Sequence, residues 1–281
     1  MRNLKSGVFC IEKDRFDECD WHITRLSLNF NLDGSQTYHT PERAFSISPH
    51  KYLLLNEGQK FKTSSQAKTS NRMITVAFQV GLADKLMTAL TSNNDSLLDD
   101  PFNNSHGSRE FLEKTYAMNS TIHSAVSKLV DFTGEAHELD QRLEDLLLHL
   151  LQDQLNVRRE ILSISSAKTS TKVEIYRRLH WSLDFLHENF TANISVENLA
   201  EEACLSSFHY KRLFTELFHI SPYQYLINLR LDKARTLLHS DSMISVVCKE
   251  VGWKDPSSFT RLFKKRFNLT PLEFKTIHIA R

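Results

Sequence analysis

The sequence predicts an α+β chain of two domains, and three patterns predict it. Apolar and polar residues alternate through much of the first 80 positions. Leucines then recur at helical spacing from Leu139 to Leu155, and near the C-terminus one two-helix unit is written twice. A period of two marks half-buried strands, steps of three and four mark a helix face, and a fixed offset marks a duplicated unit. The expected layout is a β-sandwich or barrel over residues 1–135, a leucine-rich helix and linker over 136–168, and an all-α domain over 169–281. With 281 residues, 41% hydrophobic and 25% charged, the chain can bury two cores without staples.

In the first domain, Leu26, Leu28, Phe30 and Leu32 alternate with Ser27, Asn29 and Asn31, which puts one face inward. Phe45–Ile47, Tyr52–Leu55 and Ile74–Val80 continue the pattern. Asp33-Gly34-Ser35, Ser48-Pro49 and Asn56-Glu57-Gly58 break it. Short strands at such spacing suggest a small sandwich or barrel. Residues 82–90 read as a helix, and the polar stretch Ser92 to Ser108 as a loop. Helices are expected over 110–132 and 137–164, divided at Thr133-Gly134.

In the second of these, Leu139, Leu143, Leu146, Leu147, Leu150, Leu151 and Leu155 form a wide apolar stripe. It packs on its own domain, on the same helix of a second chain, or on both through different sides, with Leu139, Leu143, Leu146 and Leu150 as the dimerisation residues where two chains pair. Ser163 to Thr171 reads as the linker.

The remainder is helical. Tyr176, Leu179, Leu183 and Leu186 share a face; Ser195, Ser206 and Asp255-Pro256 start helices, and Ser242 starts another. Ser206 to Pro222 and Asp255 to Pro271 repeat each other: Arg212 and Arg261, Leu213-Phe214 and Leu262-Phe263, and Pro222 and Pro271 are each 49 positions apart. Leu199-Ala200-x-x-Ala203 and Val247-Cys248-x-x-Val251 precede the copies at an offset of 48, so one residue is inserted in the second turn.

In each copy, Tyr210, Leu213 and Phe214, or Phe259, Leu262 and Phe263, point inward at i, i+3, i+4. Ser207, Phe208, Lys211 and Arg212 are left outward in the first, and Pro256, Ser257, Thr260 and Arg261 in the second. A two-helix unit of this kind lays such a face into a DNA major groove. Arginine matches guanine O6 and N7, and Ser or Thr can serve several bases. Lys264, Lys265 and Arg266 continue toward phosphates. Phe208 packs on a thymine methyl or folds back as core. Residues from Lys168 onward carry 17 Lys and Arg against 12 Asp and Glu, and the rest carries 18 against 22, so the C-terminal third is the part that meets a polyanion. A joining helix of about 17 residues spans ~26 Å at ~1.5 Å per residue. With its turns it approaches the ~34 Å between successive major-groove faces.

These residues resemble one family. Leu199-Ala200-x-x-Ala203-x-Leu205-Ser206, Tyr210-x-Arg212-x-Phe214, Val251-Gly252-Trp253-x-Asp255-Pro256-Ser257-Ser258-Phe259-Thr260-Arg261-x-Phe263-Lys264 and Thr270-Pro271-x-x-Phe274 are similar to the paired helix-turn-helix domain of the AraC/XylS family of bacterial transcription regulators. The resemblance covers about 110 residues. It implies a DNA-binding regulator, usually an activator that touches RNA polymerase, with a cupin-like N-terminal domain and a helical dimerisation element. Cys204 stands where the first copy usually has glycine, and His219 and Asn268 occupy turns where glycine is frequent. His and Asn tolerate positive φ, so the turns are expected to survive.

The expected partners are promoter or operator DNA, RNA polymerase, a second copy of the chain and a small-molecule effector. A protein partner in place of the effector is the alternative reading, and a cupin-type enzyme with an accessory DNA domain is a third. His39, Glu42 and His50 lack the His-x-His cluster of a cupin metal site, so neither metal nor cofactor is expected. Phe30, Phe45, Tyr52, Phe61 and Phe78 read as core rather than as a pocket lining. No nucleophile triad, phosphate loop or carboxylate pair stands out, and no catalytic residue is assigned. Cys10, Cys19, Cys204 and Cys248 show no CxxC spacing. With no signal-like N-terminus and no membrane-length apolar run, buried, reduced thiols in a cytoplasmic protein are expected.

Overall fold

The alternating N-terminal pattern becomes two antiparallel sheets in the computed structural model, which describes residues 2–3, 7–13, 22–49, 51–64, 72–91, 111–130, 132–166, 168–239 and 242–279. The strands are β1 (Arg2–Asn3), β2 (Gly7–Lys13), β3 (His22–Ile23), β4 (Ser27–Asp33), β5 (Gln36–His39), β6 (Ala44–Ile47), β7 (Lys51–Leu55), β8 (Lys60–Ser64), β9 (Arg72–Phe78) and β10 (Thr115–Ala117). Among the described residues one sheet has the order β1-β2-β9-β4-β7-β10 and the other β3-β8-β5-β6. Tyr38, Phe45 and Ile47 from the second sheet pack against Leu53, Leu55 and Met73 from the first. Phe30, Tyr52 and Phe78 are fully buried as well.

β4 departs from the one-sided strand that its alternation predicts, because Ser27, Asn29 and Asn31 are buried along with Leu28 and Phe30. Most of their polar atoms find partners on neighbouring strands or within β4 itself, Asn31 Oδ1 being the exception. Asn29 Nδ2 donates to Ser27 Oγ at 3.1 Å, Thr75 Oγ1 donates to Asn29 Oδ1 at 3.0 Å, and Asn31 Nδ2 donates to the Ile47 carbonyl at 3.1 Å. Burying a polar group with its hydrogen bond made costs little, so the strand is covered on both faces.

Helix α1 spans Leu82–Thr91, α2 Ser120–Val130 and α3 Ala136–Ser163. The helix expected from residue 110 is shorter than predicted: residues 111–119 contribute β10, which pairs with β7, and the helix begins at Ser120. Asn119 explains the start, since its Oδ1 accepts from the Ile122 N–H at 2.8 Å. The expected loop Ser92 to Ser108 and the residue His50 lie outside the described residues.

The chain divides into two units, Met1–Arg159 and Glu160–Arg281, and α3 crosses that division rather than standing apart over 136–168. Leu139, Leu143, Leu146 and Leu150 are each 0% exposed within the single chain. They therefore cannot present a face to a second chain while the fold is intact, which corrects their assignment as dimerisation residues. The stripe is used internally.

The second unit is helical: α4 (Thr169–Asn189), α5 (Val196–Glu202), α6 (Ser207–Phe218), α7 (Pro222–Leu237), α8 (Ile244–Glu250), α9 (Pro256–Phe267) and α10 (Pro271–Ile279). Ser195 and Asn198 form a reciprocal cap on α5, and Ser221 caps α7. Ser242 does not cap α8, which starts after Met243 with no side-chain cap; the Ser242 carbonyl instead accepts from Lys275 Nζ at 2.9 Å. No described helix is long and apolar enough to cross a membrane.

Candidate nucleic-acid interface

Each copy of the duplicated unit is a short helix, a tight turn and a longer helix with one buried and one exposed face. On α6, Tyr210, Leu213 and Phe214 are buried, and the Tyr210 hydroxyl accepts from Ser182 Oγ at 3.0 Å. Burial pushes that hydroxyl well above its ordinary pKa. On α9, Phe259 and Phe263 are fully buried, with Trp253 edge-on to Phe259 and Phe274 edge-on to Phe263. Ile227, Leu231, Val247 and Val251 complete this second core. Aromatic burial of this extent fixes which face of each helix is left outward.

The outward faces carry the residues expected there. Phe208 is 80% exposed, so it is not core. Lys211 and Arg212 on α6, and Pro256, Ser257, Arg261, Lys264 and Lys265 on α9, are exposed, whereas Ser207 and Thr260 are half-buried. Thr260 Oγ1 donates to the Pro256 carbonyl at 2.9 Å. Its hydroxyl proton is thereby used inside the helix, which leaves the oxygen only as an acceptor. Arg266 is different: it forms a paired contact with Asp232, Nε to Oδ1 at 3.2 Å and Nη2 to Oδ2 at 2.7 Å. It ties α9 to α7 and is not a free phosphate ligand.

Both α6 and α9 are held at their ends. Ser206 Oγ accepts from the His209 N–H at the start of α6; the two oxygens of Asp255 accept from the Ser257 and Ser258 N–H groups at the start of α9. His219 and Asn268 end them at φ 59° each, in the left-handed region that the sequence requires of those turns. Cys204, in the turn before α6, has φ 51°, and Gly252, at the matching place in the second copy, has φ 77°. Cys204 is exposed, not buried as expected, because it lies in the turn just beyond α5. A non-glycine residue here costs about 1–2 kcal/mol, partly offset by the ~0.5–1 kcal/mol that glycine loses in chain entropy. Cys204→Gly should therefore stabilise the chain by about 0.5–1 kcal/mol in a urea titration.

Two anchoring residues carry no motif that sequence reasoning could find. Arg230 on α7 donates through Nε to the Phe190 carbonyl and through Nη2 to the Ala192 carbonyl, each at 2.7 Å, and so pins the turn after α4. Glu216 on α6 accepts from the Ser165 N–H at 2.6 Å, and the Ser165 side chain, with this backbone bond and the nearby Arg212, holds its carboxyl below the usual carboxylate range. Their signal is a carbonyl or N–H distant in sequence, which only the folded chain brings near.

Among the described residues no group of three or more His, Cys, Asp or Glu is placed to hold a metal ion. His39 Nε2 is instead 2.8 Å from Ser64 Oγ.

Two capped, core-backed helices, each exposing lysine and arginine away from its core, define a paired helix-turn-helix DNA-binding domain. Comparison with known proteins agrees: residues 199–277 match the helix-turn-helix domain family. The lactose operon transcription activator of Staphylococcus xylosus is 32% identical over 108 residues, which are 38% of this chain and 39% of that protein, so the chain spans about two-fifths of its length. The probable transcriptional regulator LumQ of Photobacterium leiognathi is 23% identical over 87% of this chain and 94% of its own. The fatty-acid-bound ToxT of Vibrio cholerae is 14% identical, with a TM-score of 0.39 over 98% of this chain and 96% of that one. The C-terminal domain is thus a helix-turn-helix domain of the AraC type, a domain found in transcription regulators.

Proposed function

We propose that this protein is a sequence-specific transcription regulator, acting as an activator, whose two exposed helix faces read successive major-groove segments of an operator. The observation that carries the reading is the pair of arginines, Arg212 and Arg261, exposed at the same place on two duplicated helices whose opposite faces pack into cores. Ser207, Phe208, Lys211, Pro256, Ser257 and Thr260 complete the base-facing set, and Lys264 and Lys265 contact phosphates. α7, at 16 residues, spans about 24 Å between the copies. Arg212→Ala or Arg261→Ala should each cost about 1–3 kcal/mol on the preferred duplex and relax choice at one base pair. Binding to duplexes substituted base by base checks this; unchanged affinity and preference in both variants would remove the assignment.

In this reading residues 1–135 form a cupin-like sensory domain for a small-molecule effector, and residues 169–281 the DNA-binding domain. The active form is a homodimer, joined elsewhere than through the buried leucines, and it contacts RNA polymerase. No catalysis is assigned. The support for an effector lies in the sandwich interior. Among the described residues Asn31 Oδ1 and both amide atoms of Gln36 are buried without a partner. Each unsatisfied group costs about 1–3 kcal/mol, and a hydrogen-bonding ligand would offset that cost. Gln36→Leu should accordingly stabilise the free protein by about 1–2 kcal/mol. It should also abolish any thermal shift caused by an active member of a metabolite panel. Retention of the full shift in Gln36→Leu would move the effector elsewhere.

A further inference from the structure

The chain just before α4 is folded onto the reading unit and not left as a free tether. Ile161 and Ile164 are 8% and 2% exposed. The Tyr176 hydroxyl donates to Glu160 Oε2, and Lys172 Nζ donates to the Leu162 carbonyl, both at 2.6 Å. The next contact reaches the first reading helix: the Ser165 N–H donates to Glu216 Oε1 at 2.6 Å. The other oxygen, Glu216 Oε2, lies 3.9 Å from Arg212 Nη1, one turn earlier on α6. One carboxylate therefore faces both the connector backbone and the arginine assigned to base reading.

We infer that Glu216 is a positioning residue through which the connector sets the Arg212 guanidinium, so that a change in the connector alters reading by the first copy and not by the second. Arg212 is 47% exposed along its side chain and has many rotamers to choose from. A negative charge fixed beside it narrows that choice before DNA arrives, and the charge is fixed only while Ser165 holds the carboxylate. Among the described residues the second copy shows no such device. The position 49 residues after Glu216 is Lys265, which repels Arg261 where Glu216 attracts Arg212. The asymmetry makes the first copy the one open to control from the connector.

The inference rests on the proposed base-reading role of Arg212, and the test separates the two. Wild-type full-length chain selects its preferred duplex from a random library. The variants Glu216→Gln, Ser165→Pro, Arg212→Ala and Arg261→Ala are then measured on that duplex and on its single base-pair substitutions. Glu216→Gln keeps an acceptor for Ser165 but removes the charge, and Ser165→Pro keeps the charge but removes the donor. Both are expected to change discrimination at the base pair that Arg212→Ala relaxes, by about two- to fivefold, the scale of an exposed ion pair. The base pair relaxed by Arg261→Ala should be read as in wild type. Equal changes at both base pairs, or none at either in Glu216→Gln, would overturn the inference while leaving Arg212 as a reader. No change in Arg212→Ala itself would remove the assignment on which it stands. Should Ser165→Pro lower the melting temperature, Glu216→Gln, isosteric with the native side chain, decides alone.

Discussion

Gly252→Val should unfold the second copy of the helix-turn-helix, with a loss of more than about 3 kcal/mol. Two effects add. Gly252 sits at φ 77°, where a β-branched side chain is strained, and a Cβ built there would lie 2.3 Å from the Thr191 carbonyl oxygen. That oxygen is backbone, in the turn that Arg230 pins from both sides at Phe190 and Ala192, so it cannot move aside cheaply. The closest comparison lies in the same chain. At the matching turn of the first copy Cys204 is accommodated at φ 51° and its side chain is exposed, so there the backbone strain stands without the collision. A thermal melt followed by circular dichroism should show the transition lowered by more than about 10 °C. A melt unchanged by Gly252→Val would mean that the turn is not held as described.

The second large effect is expected in the other unit. Leu146→Asp combined with Leu150→Asp should cost about 5 kcal/mol or more, because each change removes a buried side chain and leaves a carboxylate in an apolar core. Both leucines are 0% exposed in one chain, so the loss appears as unfolding of the first unit and not as a folded monomer released from a dimer. Sedimentation together with circular dichroism separates the outcomes. A folded, dissociated chain would show that the stripe pairs between molecules after all.

The second unit was legible in the sequence because its signals are local. Caps at Ser195, Ser206 and Asp255, prolines at the first turns of α7 and α9, and the i, i+3, i+4 aromatics each act within one or two turns. The duplication then checks each copy against the other, so most of the outward set is exposed where spacing placed it, Ser207 and Thr260 being half-buried. Even the unusual turns were readable, since His219 and Asn268 belong to residue types that enter the left-handed region at low cost. What the sequence hid was non-local. Alternation in β4 cannot reveal that the polar side is covered by a second sheet, because Asn29 and Asn31 look solvent-facing until Thr75 and Ile47 are beside them. The leucine stripe of α3 shows that an apolar face must be covered but not what covers it. Arg266 reads as one more cation in a basic run until Asp232 on α7 is placed against it. Glu216 gives no signal either, since its partner Ser165 lies 51 residues away.

The most direct test of the central claim is competition binding by the full chain at moderate salt, its selected duplex against random-sequence duplex. The double variant Arg212→Ala/Arg261→Ala is measured alongside. Wild type should prefer its own duplex by about a thousandfold or more, and the double variant should lose most of that preference while keeping its salt-dependent affinity for random duplex. Equal affinity of wild type for both duplexes, or a double variant as selective as wild type, would contradict the account.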